Sequence, residues 1–166
     1  MTHDSRSGPT RVELREAAVA DQSFLDELLF QTHAEPLAHF DEHRRHLLAT
    51  MQMQAQERQY RSDWPQARHD IILVNGKPIG RVLVNVGHDA WRLVDISLLA
   101  DFRGRGIGGA IIGRLLDDAN SARLPLRLVV SKHNPARRLY DRLGFSIIDG
   151  NATHDVMEKP PASGSS

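Results

Sequence analysis

The chain has 166 residues, a length that fits one domain with a complete hydrophobic core. Its 21 basic and 21 acidic residues give a formal charge of zero, which argues against a dedicated nucleic-acid or anionic-membrane surface. Because the sequence has no cysteine, disulfides, thiolate metal sites and a cysteine nucleophile are excluded.

The sequence predicts a single domain at residues 10–159 between two polar tails. Residues 1–9 and 160–166 are rich in polar and small residues, and we expect both segments to be flexible. The first residues lack the apolar core of a signal peptide, and no apolar run is long enough to span a membrane. We therefore expect a cytoplasmic protein.

The first third of the chain predicts one strand and two helices. Residues 11–16 alternate in polarity, as in a strand. Asp21 is a good N-cap for a helix that ends near Pro36. A longer helical pattern runs from His43 to Tyr60. The expected apolar stripes are Phe24, Leu25, Leu28 and Leu29 in the first helix and Leu47, Leu48, Met51 and Ala55 in the second.

The long helix carries two polar patterns that could be functional. His39, His43 and His46 share a spacing that could place imidazoles on one face for a metal, but no fourth ligand is evident, so we interpret them as a solvated helix face. The helix end beside Trp64 is rich in hydrogen-bonding groups, which leaves open a substrate pocket or plain surface. These groups are Gln52, Gln54, Gln56, Gln59, Tyr60 and Arg61.

The rest of the chain predicts a mixed α/β fold. Three strand patterns with short connections, the first two joined at Asn75-Gly76, indicate an antiparallel meander. A helix over 107–122 then leads to a strand over 126–131, which should lie parallel to the strand that holds Asp95. Asn134 and Pro135 open a further helix that Gly144 ends. Two more strands complete the chain, at 145–148 and 155–158.

The glycine loop, residues 104–109, predicts a phosphate-binding site. Its glycines and the first turn of the following helix would present unpaired N–H groups to an anion, while Arg103 and Arg105 add positive charge. The loop also contains a literal GxGxxG. A dinucleotide fold needs that motif after the first strand, with an acidic residue about 20 positions further on, and neither condition is met. A Walker loop is absent as well. The loop therefore predicts a pyrophosphate ligand, with NAD and ATP disfavoured.

Two motifs together resemble one family. The pattern Arg103-x-x-Gly106-x-Gly108 resembles the acyl-CoA signature of the GNAT superfamily of N-acetyltransferases. The segment from Asn134 through Tyr140 to Phe145 resembles the Asn…Leu-Tyr…Gly-Phe stretch of those enzymes, although Asn134 and Tyr140 are six positions apart where many members have seven. The resemblance implies a mixed, mostly antiparallel sheet that splays between two parallel strands and is flanked by helices.

The resemblance also implies acetyl-CoA as a co-substrate and no metal. The backbone of the glycine loop would hold the pyrophosphate, and the strand around Ile96 and Leu98 would pair with the pantetheine arm. Asn134 would bind the arm near its sulfur. The residues expected to bind the cofactor are Ile96, Ser97, Leu98, Arg103, Gly104, Arg105, Gly106, Ile107, Gly108, Gly109 and Asn134.

Two residues are candidates for catalysis. The resemblance implies that Tyr140 protonates the departing thiolate. Asp95 lies in an otherwise apolar strand, where a carboxylate is costly unless it has a role or a partner. It could act as a base, anchor the amine, or only pair with Arg81 or Arg92. Water chains, or the less favoured His133, could instead serve as the base.

The sequence thus favours an enzyme that transfers an acetyl group to a primary amine by direct attack in a ternary complex. A backbone N–H in an irregular part of the Asp95 strand would stabilise the oxyanion. The alternatives are a non-catalytic acyl-CoA-binding protein and a nucleotide-dependent enzyme. The expected partner is an amine-bearing acceptor, with a homodimer possible through exposed strand edges, and neither nucleic acid nor a membrane is expected.

Overall fold

The computed structural model of the protein describes residues 10–164, and these form one seven-stranded sheet. Its spatial order is β1-β2-β3-β4-β5-β7-β6. The strands are β1 Val12–Glu16, β2 Arg68–Val74, β3 Lys77–Val86, β4 Trp91–Leu98, β5 Leu126–Ser131, β6 Ser146–Gly150 and β7 His154–Lys159. Only β4 and β5 pair in parallel, and every other neighbouring pair is antiparallel. The predicted mixed, mostly antiparallel sheet is confirmed.

Four α-helices flank the sheet in the described part of the chain. They are α1 Gln22–Ala34, α2 Glu42–Asp63, α3 Ile107–Ser121 and α4 Arg137–Arg142. Short 3₁₀ turns occur at Val19–Asp21, Glu35–Leu37 and Ala100–Phe102. No helix within residues 10–164 is both long enough and apolar enough to cross a membrane.

The turn between β2 and β3 forms as the Asn75-Gly76 pair predicts. Asn75 has φ +51° and Gly76 has φ +81°, so both central residues are left-handed. This is the geometry of a two-residue turn that matches the twist of the flanking strands. The turn sets the pairing of Val74 with Lys77 and of Leu73 with Pro78, and an extra residue on β3, Ile79, shifts the register beyond that point.

The two faces of the sheet bury different clusters. On one face, Leu25 and Leu28 of α1 pack against Ile71 and Leu73 of β2. On the other face α3 buries its predicted stripe in the main core. That stripe is Ile107, Ile111, Leu115 and Ala119, each at most 5% exposed. Because β-strand side chains alternate between faces, the sheet separates an apolar α3 side from a more polar α2 side.

The apolar stripe predicted for α2 is wrong. Leu47 is 53% exposed and Met51 is 56% exposed, whereas Ala49 is fully buried. The inward face of the helix carries polar groups instead, because Gln56 bonds to His33 of α1 and Glu57 bonds to Arg81 of β3. A helix that buries paired polar side chains cannot be oriented from its apolar residues alone.

The cap predicted at Asp21 has a different partner. Asp21 occupies the N-cap position of α1, but its carboxylate does not bond to that helix. It accepts hydrogen bonds from the Arg15 guanidinium and from the Ala18 N–H. The bond from Arg15 and the bond from Ala18 hold the pKa of Asp21 well below its usual range. Asp21 therefore fastens β1 to the segment that leads into α1.

The helix α4 is shorter than predicted. It begins at Arg137, although Asn134 Oδ1 accepts the N–H of Ala136 at 2.9 Å as an N-cap would. Gly144, at φ +90°, follows the helix as the left-handed stop. The predicted start and stop chemistry is therefore present, but the first turn after Pro135 is not α-helical.

Of the two predicted tails, the structure describes only part of the C-terminal one, residues 160–164. Residues 1–9 lie outside the described part of the chain, as do residues 165 and 166. In the C-terminal segment that is described, the N–H of Ala162 donates to Asn120 Oδ1 of α3 at 2.7 Å. The domain limits at 10 and 159 stay a prediction.

Candidate active site

The glycine loop leaves the first turn of α3 open. Gly104 and Gly106 adopt left-handed φ angles of +71° and +79°. Gly106 is the N-cap of α3, and no side chain caps the helix there. The first N–H groups of the helix, which have no partner within it, therefore point out of the loop. A Cβ added at Gly104 or Gly106 would meet no atom within 4 Å, so an anion can approach this backbone closely.

The two arginines of the loop have different surroundings. The Arg103 guanidinium donates to the Leu98 carbonyl and pairs with Glu35, which ties the loop to the segment after α1. Arg105 is exposed and lies over the Phe102 ring, 5.2 Å from its centroid. Arg105 is therefore the arginine better placed to contribute its charge to an anion at the loop.

The strands β4 and β5 separate halfway along β4. Their pairing covers Trp91 to Leu93 on β4 and Leu126 to Leu128 on β5. Beyond this point the edge of β4 that faces β5 has no strand partner, and Ile96, Ser97 and Leu98 lie on it. The predicted splay is confirmed, and it leaves backbone groups that an extended ligand could pair with.

A β-bulge at Val94 directs Asp95 away from the main core. Leu83 pairs with Asp95 while Val84 pairs with Leu93, so Val94 is the extra residue on β4. Leu93 packs in the α3-side core, whereas Asp95 contacts Arg81 on the α2 side. Without the bulge, Leu93 and Asp95 would lie on the same face of the sheet, because they are two positions apart.

Asp95 belongs to a buried ionic network. Arg81, only 1% exposed, donates its Nε–H to Asp95 Oδ2 at 2.9 Å. Its two terminal nitrogens donate to the Glu57 carboxylate at 2.6 and 3.0 Å. Ser97 Oγ donates to the same Asp95 oxygen at 3.0 Å. Of the two arginines considered for Asp95, Arg81 is the partner.

The network keeps its central guanidinium charged. Burial acts to lower the pKa of Arg81, but its hydrogen bonds and charge attraction to Glu57 and Asp95 outweigh that effect and raise the pKa. The other candidate partner, Arg92, instead pairs with Asp89 and lies over the Trp64 ring. Asp95 is therefore held between a permanent cation and a hydroxyl.

Tyr140 projects from α4 into the core near this network. It is 7% exposed and meets the Phe145 ring edge-on at a centroid distance of 5.8 Å. Burial and then the negative charge of Asp95 raise the pKa of Tyr140. The phenol therefore keeps its proton at neutral pH and can donate it.

A cavity of about 990 Å³ lies on the α2 side, between the start of α1, the second half of α2 and the sheet. Its wall includes Gln54, Tyr60, Arg61 and Trp64, so the polar end of α2 does line a pocket. Gln56 bonds to His33 instead. Burial, followed by the charge of Asp95, raises the pKa of Tyr60.

The sequence matches the model of the Acetyltransferase (GNAT) family over residues 29–145, which is most of the chain. The chain belongs to the GNAT family of acetyltransferases. Family membership supports acetyl-CoA as the acyl donor, and it confirms the resemblance found in the two sequence motifs. No curated protein matches this GNAT chain in sequence at a significant level.

Solved structures share the fold of this GNAT domain at low identity. The PaiA N-acetyltransferase from Thermoplasma acidophilum, in complex with coenzyme A, is 15% identical, with a TM-score of 0.68, over 90% of this chain and 99% of that one. The ribosomal-protein-S18-alanine N-acetyltransferase from Escherichia coli is 19% identical, with a TM-score of 0.64, over 93% and 97%. An acetyltransferase from Thermus thermophilus is 21% identical, with a TM-score of 0.61, over 90% and 96%.

The residues of this GNAT domain fit coenzyme A. The open backbone at Gly104 and Gly106 and the uncapped start of α3 suit a pyrophosphate. The unpaired edge of β4 suits the amide-bearing pantetheine arm. Gly109 lies beside α4, because a Cβ there would be in ordinary contact with Leu139, at 3.4 Å.

Two residues of the cavity were missed in the sequence. Glu57 was not singled out, although the buried pair of opposite charges in mid-strand, Arg81 and Asp95, could have suggested a third member. No sequence pattern indicated a role for His69 on β2. Its Nε2 is buried without a hydrogen-bond partner, and burial followed by the charge of Arg81 lowers its pKa. Ser97 was predicted for its backbone, but its hydroxyl supports Asp95.

The histidine pattern of the α2 region forms no metal site. Among the described residues, no group of three metal-ligating side chains comes together. His46 packs against Phe30 at a ring-centroid distance of 5.0 Å, and His39 packs against Phe40 at 4.2 Å. His133, the less favoured candidate for a base, is exposed.

Proposed function

We propose that the protein transfers the acetyl group of acetyl-CoA to a primary amine of a small molecule or peptide, by direct attack in a ternary complex. The observation that carries this proposal is the placement of Asp95. The bulge at Val94 turns its carboxylate toward the cavity side, beside the point where β4 and β5 separate. Its charge also acts on the protonated Tyr140. A carboxylate for the amine and a phenol for the thiolate are thus near enough for the charge of one to act on the other.

The cofactor would be held by backbone groups and a few side chains. The N–H groups of residues 104–109 and the guanidinium of Arg105 would bind the pyrophosphate, with Arg103 supporting the loop. The backbone of residues 96–98 would pair with the pantetheine arm. Asn134 Oδ1 already accepts from Ala136, so its Nδ2 amide is the group that would donate to the arm.

Asp95 would receive the acceptor amine. Its Oδ2 accepts from Arg81 and Ser97, so Oδ1 is the oxygen that would bind an ammonium group. Amines of this type have a reference pKa of about 10.4 and must lose a proton before they attack. Because hydrogen bonds from Arg81 and Ser97 hold the Asp95 carboxylate in place, we assign Asp95 to anchoring the amine, and water would carry the proton of the amine away.

Tyr140 would act on the leaving group. Acetyl-CoA supplies an acyl carbon that is activated by a thiolate leaving group. As the amine forms its bond to that carbon, the carbon–sulfur bond breaks, and the Tyr140 phenol would donate its proton to the sulfur. A backbone N–H near the bulge at Val94 would stabilise the developing oxyanion.

A single substitution tests the proposed function. We expect Tyr140→Phe to lower turnover at least about tenfold, because acid catalysis of this kind contributes roughly 10²–10⁴-fold. Acetyl-CoA affinity should stay near normal, since the ring and its packing against Phe145 are kept. Thiol release with a panel of primary amines measures the first quantity, and calorimetric titration measures the second.

The same experiment separates an enzyme from a binding protein. Turnover that is unchanged in Tyr140→Phe would remove Tyr140 from the mechanism. Tight binding of acetyl-CoA by the unsubstituted protein, without thiol release on any amine, would instead favour a non-catalytic acyl-CoA-binding protein. The unfolding temperature of the variant should match that of the parent, which controls for a loss of fold.

A further inference from the structure

Asp155 of β7 is a buried carboxylate that the proposed function does not use. It is 5% exposed and lies between two strands, opposite Val130 of β5 and Gly150 of β6. A Cβ added at Gly150 would lie 2.7 Å from Asp155 Oδ1, so glycine at this position leaves room for the carboxylate. A buried carboxylate is costly unless charged partners compensate it. The partners of Asp155 therefore indicate its role.

Both partners of Asp155 belong to the connection between β5 and α4. Lys132, the first residue after β5, places its Nζ atom 3.5 Å from Asp155 Oδ1. Arg137, the first residue of α4, places its Nη2 atom 3.0 Å from Asp155 Oδ2. One carboxylate thus pairs with a cation at each end of this connection, and Asn134 lies between the two cations.

Hydrophobic packing does not hold the connection in place. Residues 132–135 are all exposed. The backbone of the connection reaches the β6–β7 turn through one hydrogen bond, from the Lys132 N–H to the Thr153 carbonyl at 2.9 Å. In the described chain, its other backbone hydrogen bonds lie within residues 131–140. The ion pairs to Asp155 are therefore the side-chain contacts that fix the connection to the sheet.

We propose that Asp155 is a positioning residue, which holds the β5–α4 connection so that the side-chain amide of Asn134 meets the pantetheine arm of coenzyme A. The inference rests on the proposed function, because it takes Asn134 as a contact to that arm. Asp155 acts through the connection and does not itself contact the cofactor.

Loss of the Asp155 charge would leave two cations without their common anion. The Lys132 and Arg137 side chains are 39% and 27% exposed, so each can turn toward water once the carboxylate is neutral. Like charges also repel each other, which favours a more open connection. The Asn134 amide would then lose its fixed position, while the glycine loop at the start of α3 would keep its own. Binding of the arm should weaken, and binding of the pyrophosphate should not.

The test compares coenzyme A with ADP, which has a pyrophosphate but lacks the pantetheine arm. Asp155→Asn keeps the size of the side chain and removes its charge. We expect this variant to bind coenzyme A about fivefold more weakly than the parent, the effect of losing one hydrogen bond. Its affinity for ADP should stay within about twofold. Isothermal titration measures both ligands, and a role in folding alone would not separate them.

A double variant tests the route through Asn134. Asn134→Ala should weaken coenzyme A binding by a similar factor. Asp155→Asn combined with Asn134→Ala should bind no more weakly than Asn134→Ala alone, because both substitutions remove the same contact. Arg137→Gln breaks one ion pair from its partly exposed side and should give the same selective loss. It keeps the test decisive if Asp155→Asn impairs folding.

Asp149→Asn is the matched control. Asp149 is exposed on the neighbouring strand β6, and its Oδ1 atom accepts the N–H of Gly150, a bond that asparagine can retain. Its substitution should leave the affinities for coenzyme A and ADP within about twofold of the parent.

Each contrary outcome overturns a different part of the inference. Unchanged coenzyme A affinity in Asp155→Asn and Arg137→Gln removes the positioning role, and an equal loss for ADP assigns Asp155 to the fold as a whole. Losses that add in the double variant show that Asp155 does not act through Asn134. Unchanged affinity in Asn134→Ala would instead remove the Asn134 contact from the proposed function, and the inference with it. These titrations need no acceptor, so a failure to acetylate any amine is a separate result.

Discussion

Arg81 is the residue on which the polar side of the sheet depends. Its guanidinium is almost completely buried, yet each of its nitrogens bonds to a carboxylate oxygen, two on Glu57 and one on Asp95. Burial of a charge is costly unless such partners compensate it. Since Glu57 belongs to α2 and Asp95 to β4, this one side chain fixes the helix that walls the cavity against the strand that would anchor the amine.

Removal of Arg81 tests this dependence. Arg81→Met should lower the free energy of unfolding by about 3–5 kcal/mol, because it leaves two carboxylates close together in a partly buried site without their cation. Arg44→Met is the matched control. The Arg44 side chain is 72% exposed and pairs only with Asp41 at the start of α2, so its loss should cost about 1 kcal/mol or less.

Denaturant unfolding monitored by circular dichroism measures both variants. Equal stabilities of the two variants would mean that the buried network contributes no more than a surface pair. In that case Asp95 would need another explanation for its position beside the core.

At the scale of elements, β4 explains why the site could be predicted only in part. Its apolar pattern, its antiparallel partner β3 and its parallel partner β5 were all visible in the sequence. An irregular part of this strand was expected, but its position at Val94 was not, because no glycine or proline marks it. Asp95 was therefore recognised as unusual, but the face it occupies follows from the register of the folded sheet.

For the helix α2, the prediction of the buried face was wrong. Its inward face was predicted from Leu47 and Met51, which are exposed, since hydrophobic periodicity assumes that helices bury apolar groups. Here Gln56 and Glu57 face inward because they bond to His33 and Arg81. These partners lie more than 20 positions away in the chain. Pairings of this kind are long-range, so a local pattern does not contain them. By contrast, α3 buries an uninterrupted apolar stripe and was predicted nearly to the residue.

The start of α3 gives a prediction at the same scale. Gly106→Ala places a Cβ on a residue at φ +79°, where a side chain costs roughly 1–2 kcal/mol of backbone strain. The loop should relax toward a right-handed conformation and turn N–H groups away from the pyrophosphate. We therefore expect coenzyme A affinity to fall at least about tenfold.

Gly113→Ala is the matched control for the glycine loop. Gly113 lies inside α3 without a left-handed φ, and a Cβ there would meet no atom within 4 Å. Alanine should stabilise the helix by up to about 1 kcal/mol and leave coenzyme A affinity unchanged. Isothermal titration of both variants with coenzyme A makes the comparison. Equal affinities would show that the left-handed turn is not needed for binding.

At the scale of the whole molecule, the separation of β4 from β5 links the fold to its ligand. A sheet that opens in its middle exposes backbone groups on the free edge of β4, and a bound strand-like ligand would pair with them. The two outer edges, β1 and β6, are different. All five residues of β6 are exposed, including Ile147 and Ile148, and this strand is where we would expect a homodimer to pair.

The open sheet predicts a large stabilisation by coenzyme A. A ligand that binds only the folded state at 100 times its Kd stabilises that state by about 2.7 kcal/mol. For a domain of this size each kcal/mol raises Tm by roughly 2–4 °C, so coenzyme A should raise Tm by roughly 5–10 °C. This stabilisation should extend over the whole domain. The pyrophosphate would bind the start of α3, and the pantetheine arm would bridge the gap between β4 and β5.

The specificity of this stabilisation decides between coenzyme A and a nucleotide. The GxGxxG of the glycine loop also occurs in dinucleotide-binding folds, but here it follows β4, the last strand of an antiparallel meander, rather than the first strand of a parallel sheet. NAD and ATP lack a pantetheine arm and cannot pair with residues 96–98, so each should raise Tm far less than coenzyme A at equal concentration. Differential scanning fluorimetry measures all three. A larger shift with NAD or ATP would assign the glycine loop to a nucleotide and would contradict the placement of the arm along β4.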